Sequence, residues 1–197
     1  METVEKPYFS EEISQKLSKI SNFGMVMVEA PAGYGKTTAV RWAIRNVPSE
    51  QIRWFTAVSC LQDTSLDWFI RQIGQLDSDA GIALRQLGFL NRSNVSIAAD
   101  ILANLYVPEP CYLIVDNFQF ISDNWPLPLL QALADRRRDE LHVILISQNF
   151  GKLRAVFENT TNVCRFSSRD LLLNRKNIAE YGQQLGLNLS RQQTETI

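Results

Sequence analysis

Between residues 25 and 47 an apolar run, a glycine-containing loop and an amphipathic helix follow one another without a spacer. Met25-Val26-Met27-Val28 is apolar at successive positions, the pattern of a strand covered on both faces in a parallel sheet. It stops at Ala30-Pro31-Ala32-Gly33, small and structure-breaking residues that turn a buried strand into a loop. From Thr37 the period lengthens from 2 to about 3.6, and Val40, Ala43, Ile44 and Val47 form a stripe that ends before Pro48.

The loop itself reads A-P-A-G-Y-G-K-T from Ala30 to Thr37. This is the phosphate-loop pattern G-x-x-x-x-G-K-[ST], with Ala30 in place of the first glycine. Each residue type has a physical reason. Gly33 and Gly35 permit backbone angles and a close approach that a Cβ would block, so successive N–H groups can converge on phosphate oxygens. Lys36 supplies a point charge for the β- and γ-phosphates, and the Thr37 hydroxyl can ligate Mg²⁺. The helix that starts here directs its positive end at the same anion. The candidate cradle is Ala32, Gly33, Tyr34, Gly35, Lys36, Thr37 and Thr38. A bare strand-to-helix turn with a surface lysine would also contain G-K-T; the flanking strand and helix separate the two readings.

The strand–helix alternation continues along the chain. Ile13, Leu17 and Ile20 share a helical face within residues 11–20, ahead of the first strand. IRWFTAV (residues 52–58) predicts a second strand, and Leu66, Phe69, Ile70, Ile73 and Leu76 predict a helix from about Ser65. Residues 77–92 are weakly periodic, contain two glycines, and are read as a loop or broken helix. A further helix is expected from Ser93 or Asn94, with Ile97, Ile101, Leu102 and Leu105 inward and Pro108 and Pro110 ending it. CYLIV (residues 111–115) is the most apolar strand and ends at Asp116. A helix over residues 124–138 tolerates Pro126 in its first turn. It is followed by the strand HVILI (142–146), a short helix at 152–157, a short strand at 163–166, and a helix from Arg175 to Leu185 capped by Asn174. Continuous apolar strands alternating with helices predict an α/β fold of P-loop NTPase type: a parallel sheet of about five strands with helices on both faces.

Asp116 is the candidate partner of the loop. P-loop proteins place an acidic residue at the end of a neighbouring strand to hold Mg²⁺, and the LIVD run supplies it. Thr37 and Asp116 are therefore the candidate metal ligands, and Lys36 and Asp116 the candidate catalytic pair. The next position weakens any case for rapid turnover: Asn117 can hold a water molecule but cannot accept its proton. Gln148, just past HVILIS, stands where related ATPases carry a residue that senses the γ-phosphate; it is equally readable as an ordinary loop residue.

Composition narrows the partners. With 20 Lys and Arg against 21 Asp and Glu, the net charge of −1 gives the domain no field for nucleic-acid phosphates. Cys60, Cys111 and Cys164 are odd in number, widely spaced and partly set beside apolar runs, as reduced core residues of a cytosolic protein would be. No apolar run approaches the 18 or so residues of a membrane span, so a cytoplasmic location is expected. His142 opens a strand with no cluster around it. Arg136-Arg137-Arg138 reads as a solvated helix end. Trp42, Trp54, Trp68 and Trp125 read as packing residues, and Pro7, Tyr8 and Phe9 are candidates to lie against an adenine base.

EAPAGYGKTTAVRWA (29–43), CYLIVDNFQFI (111–121), HVILISQNF (142–150) and FSSRDLLLNRKNIAEYGQQL (166–185) resemble the motifs of MalT-like members of the LuxR-family transcriptional regulators. These belong to the signal-transduction ATPases with numerous domains (STAND), and the resemblance runs over essentially the whole chain. Two positions depart from the family: Asn117 stands for a second aspartate and Gln148 for a sensor arginine. The resemblance implies ATP or ADP with Mg²⁺ as ligand, an ATP-bound form that self-associates, and slow or absent hydrolysis. It also implies that DNA is contacted only through a C-terminal domain absent from this chain. Residues 1–186 are then expected to form the nucleotide-binding domain and 187–197 the start of a following helical region. A stand-alone P-loop ATPase or phosphotransferase, and a degenerate module that has lost its ligand, are the alternative readings.

Overall fold

Residues 7–59, 64–136 and 140–187 are described by a computed structural model of the chain. The apolar runs become five strands, β1 (Met25–Glu29), β2 (Ile52–Thr56), β3 (Cys111–Asp116), β4 (Leu141–Ser147) and β5 (Val163–Phe166). They form one sheet in the order β2-β3-β4-β1-β5, and every neighbouring pair is parallel.

Side chains alternate across a strand, and the alternation divides the core in two. Met25, Met27, Leu113, Val115, Val143 and Leu145 face one side, where they meet helices α3 (Thr64–Leu76), α4 (Ser78–Gln86), α5 (Val95–Ala103) and α6 (Leu127–Ala134). Val26, Val28, Ile114, Ile144 and Ile146 face the other, beneath α1 (Glu11–Leu17) and α2 (Lys36–Ala43). Three shorter or later helices complete the chain: α7 (Lys152–Val156), α8 (Ser168–Leu171) and α9 (Arg175–Gln184). Asn174 caps α9 as expected, accepting from the Asn177 N–H at 3.0 Å. The helix closes with Gly186 N–H on Gln183 O and Leu187 N–H on Gly182 O, a Schellman turn.

Several expectations are corrected. The segment 77–92 contains a regular helix, α4, whose N-cap Asp77 accepts from the Ala80 N–H at 3.0 Å. The second Asp77 carboxylate oxygen takes the Tyr106 N–H at 2.9 Å, tying the start of α4 to the chain beyond α5. These backbone hydrogen bonds, Tyr106 first, hold the carboxyl below its ordinary range against the opposing effect of burial. In α5 it is Ala98 and Leu102 that are buried, while Ile97 is half exposed. Asn94 stands at the α5 N-cap without capping it; its amide instead donates to Leu87 O and Phe89 O.

Arg136 is also corrected, because it is buried rather than solvated and donates to the carbonyls of Leu102 and Leu105 at the end of α5. Arg137 and Arg138 lie outside the described residues. Arg136→Met should therefore destabilise the fold by about 2 kcal/mol, the range for a lost hydrogen bond from a charged donor. A urea titration showing an unchanged midpoint would refute the capping role.

The remaining singled-out residues pack as follows. Trp125 is buried against Phe69 and Phe118, with its indole N–H on Ser65 Oγ at 3.1 Å. Trp68 packs on Phe55 and Trp42 on Phe9. Arg41 lies over the Trp54 ring at 4.5 Å. Cys111 and Cys164 are free and buried, and burial raises both thiols; Cys60 lies outside the described residues. His142 is buried, stacks on Tyr112, and has Nδ1 3.0 Å from Phe23 O. Among the described residues no helix is long and apolar enough to cross a membrane.

Candidate functional site

The loop leaves β1 at Ala30, which is buried and donates its N–H to Ser147 O on β4 at 3.3 Å. The methyl that departs from the motif's first glycine is thus accommodated in the core. Gly33 and Gly35 have φ of +84° and +74°. A Cβ at either would meet nothing within 4 Å, so the left-handed backbone, not crowding by the protein, demands glycine here. Gly35 is the N-cap of α2 and offers no side-chain acceptor, which leaves the N–H groups of the first turn uncapped by any side chain. An uncapped, positively poled helix end behind two left-handed glycines is what an anionic ligand requires.

Lys36 Nζ reaches across the loop to Pro31 O at 2.9 Å. Partial burial lowers the ammonium below its ordinary range, with the nearby Asp116 charge opposing. Asp116 is buried at the end of β3; its Oδ2 accepts from Thr37 Oγ1 at 3.0 Å and its Oδ1 from the Asn117 N–H at 2.9 Å. The two candidate metal ligands are therefore in contact. They are not on adjacent strands, contrary to expectation: β4 lies between β1 and β3.

Asn117 has φ 59° and ψ 38°, and is the one non-glycine residue with positive φ among those described. Asparagine tolerates this region better than most residues. Its amide Nδ2 is 3.4 Å from Ala57 O, at the end of β2. The Gln148 side chain makes no hydrogen bond with Lys36 or Asp116; its backbone N–H instead donates to Gln119 Oε1 at 3.0 Å. Gln119 escaped the sequence reading. Its only signal was a polar residue inside the apolar run F-Q-F.

On the outer side of the loop, Gly33, Tyr34, Gly35 and Thr38 share an open cleft of about 540 Å³ with Tyr8, Phe9, Leu172 and Tyr181. Tyr8 is pinned to α9: its hydroxyl donates to Glu180 at 2.5 Å, accepts from Asn177 at 3.3 Å, and its ring lies 5.5 Å from that of Tyr181. Burial, then the Glu180 carboxylate, raises its phenol above the ordinary range. Lys16 joins α1 to α8 through Asp170 at 2.6 Å. Burial raises the Asp170 carboxyl, but the hydrogen bonds from Lys16 and Ser167 outweigh it and the net direction is down.

A parallel sheet whose first strand runs into such a loop, with a buried aspartate at the same sheet edge, defines a P-loop NTPase domain. Residues 19–157 match the AAA domain family, and the chain belongs to it. The resemblance to MalT-like regulators is borne out. The chain is 22% identical over 151 residues to the HTH-type transcriptional regulator MalT of Klebsiella pneumoniae and 23% identical to that of Cronobacter sakazakii. Each alignment covers 73% of this chain and 16% of the relative, so the chain spans about a sixth of the length of these regulators. Among solved structures, a STAND protein with a tetratricopeptide repeat sensor from Pyrococcus horikoshii matches with a TM-score of 0.55 at 17% identity. That match covers 98% of this chain and 28% of the other.

Proposed function

We propose that the chain is the nucleotide-dependent switch of a larger MalT-type transcriptional regulator, binding ATP or ADP with Mg²⁺. The observation that carries this reading is the Thr37–Asp116 hydrogen bond at 3.0 Å beside an uncapped helix start. Backbone from Ala32 to Thr38 cradles the phosphates, and Lys36 turns from Pro31 O to the β- and γ-phosphates. Thr37 and Asp116 are hard oxygen donors suited to Mg²⁺ shared with phosphate oxygens. The cation, when bound, neutralises phosphate charge.

With Asn117 in place of a carboxylate, no side chain at that position accepts a proton from water, and turnover is slow or absent. Function then resides in the difference in affinity between two conformations. Residues 1–186 form the nucleotide-binding domain and 187–197 begin the next region. Self-association, and contact with DNA through a separate C-terminal domain, belong to the longer protein, which acts in the cytoplasm.

Titration calorimetry with MgATP and MgADP tests the reading: binding of both supports it, and binding of neither favours a degenerate module. Turnover of many per minute, lost in Lys36→Ala, would favour a stand-alone ATPase instead. The cleft beside Tyr8 is the place for the base. Tyr8→Ala should weaken both nucleotides about 5- to 10-fold, the scale of one lost aromatic contact; unchanged affinity would remove Tyr8 from the base site.

A further inference from the structure

Gln119 sits in a single helical turn, Phe118–Phe120, directly after the left-handed Asn117. Its Oε1 accepts from Ser147 Oγ at 3.2 Å and from the Gln148 N–H at 3.0 Å. The backbone donor fixes the amide's orientation, since the NH₂ group turned toward Gln148 would set donor against donor. Nε2 is shielded from solvent and has no hydrogen-bond partner among the described residues. A second contact holds the same two turns together: buried Phe118 lies 6.1 Å from the ring of Phe150.

These bonds close a circuit around the site. Ala30 N–H donates to Ser147 O where the phosphate loop begins, and Ser147 Oγ donates to Gln119. Two residues before Gln119, the Asn117 N–H holds one oxygen of Asp116, whose other oxygen takes the Thr37 hydroxyl where the loop ends. Since β4 lies between β1 and β3, its end occupies the gap between the loop and the aspartate. Phosphates running along the loop toward Thr37 and Asp116 lead to that end, and only a third phosphate extends the row.

We propose that Gln119 is a positioning residue that makes affinity depend on the third phosphate, by holding the Ser147–Gln148 end of β4 in register with Asp116. This rests on the reading that the loop binds both ATP and ADP. Gln119→Met keeps the side-chain length and removes the acceptor; Ser147→Ala removes the donor facing it.

Calorimetry of the wild type, both variants and the double variant with MgATP and with MgADP reads the effect. Gln119→Met should weaken MgATP about 10-fold, within the usual range of site-to-site coupling, and MgADP less than about 2-fold. Ser147→Ala should shift the ATP-to-ADP ratio the same way, and the double variant should be no worse than Gln119→Met, because the two act through one bond. Should Gln119→Met fail to fold, the ratio in Ser147→Ala decides alone. A wild type that binds both nucleotides while the variants keep its ratio overturns this inference only. A wild type that binds neither overturns the switch reading, and this inference with it.

Discussion

Lys36→Ala is expected to weaken MgATP binding at least about 100-fold with little change in the stability of the ligand-free fold. The asymmetry follows from what the ammonium touches. Its partner in the protein is one neutral carbonyl, Pro31 O, at the mouth of the loop. A partly exposed hydrogen bond of this kind contributes about 1 kcal/mol or less. Against phosphate the same group makes charge-assisted contacts, and truncating one member of such a pair costs about 2–5 kcal/mol, where each 1.4 kcal/mol is tenfold in affinity. Lys36→Arg retains charge but replaces a compact ammonium with a planar fork, and should recover only part of the loss. Calorimetry and thermal unfolding of the same samples separate binding from stability. Wild-type affinity in Lys36→Ala would remove the phosphate role altogether.

Gly81→Ala should destabilise the domain by about 3 kcal/mol, opposite in sign to helix propensity, which favours alanine over glycine by about 1 kcal/mol. A Cβ on Gly81 of α4 would lie 2.2 Å from Gly74 Cα and 3.0 Å from Gly74 N on α3. Both are backbone atoms, so no rotamer relieves the clash and the two helices must separate. The reciprocal change is a built-in control. A Cβ on Gly74 would be 3.4 Å from Gly81 Cα and 3.5 Å from the Arg85 guanidinium, near ordinary contact, so Gly74→Ala should stay within about 1 kcal/mol of wild type. Urea unfolding that finds Gly81→Ala as stable as wild type would show that the helices do not meet at this point.

That contact also explains why residues 77–92 read as irregular. Periodicity recognises a helix by its apolar stripe, and Gly81 contributes to packing by having no side chain, so it looked like a breaker where it is a point of close approach. In α5 the apolar stripe was assigned one residue out of phase, because Ile97 is larger than Ala98 and apolar size says nothing about which face the neighbouring helices cover. Arg136 was taken for a surface charge because its partners, the carbonyls of Leu102 and Leu105, are more than thirty positions away.

Local chemistry was legible from end to end. The strands announced themselves by runs apolar on both faces, the phosphate loop by G-Y-G-K-T between a strand and a helix, and the C-terminal helix by its Asn174 cap. Each depends on residues within a few positions of one another, so the chain's own order records it. The order of the strands across the sheet is recorded nowhere in that way. Tertiary structure alone set β4 between the loop and Asp116, brought Thr37 to the Asp116 carboxylate, pinned Tyr8 to α9, and put Gln119 against Ser147. Such contacts join residues far apart in the chain and leave no periodic trace, since any of several strand orders would bury the same apolar runs equally well.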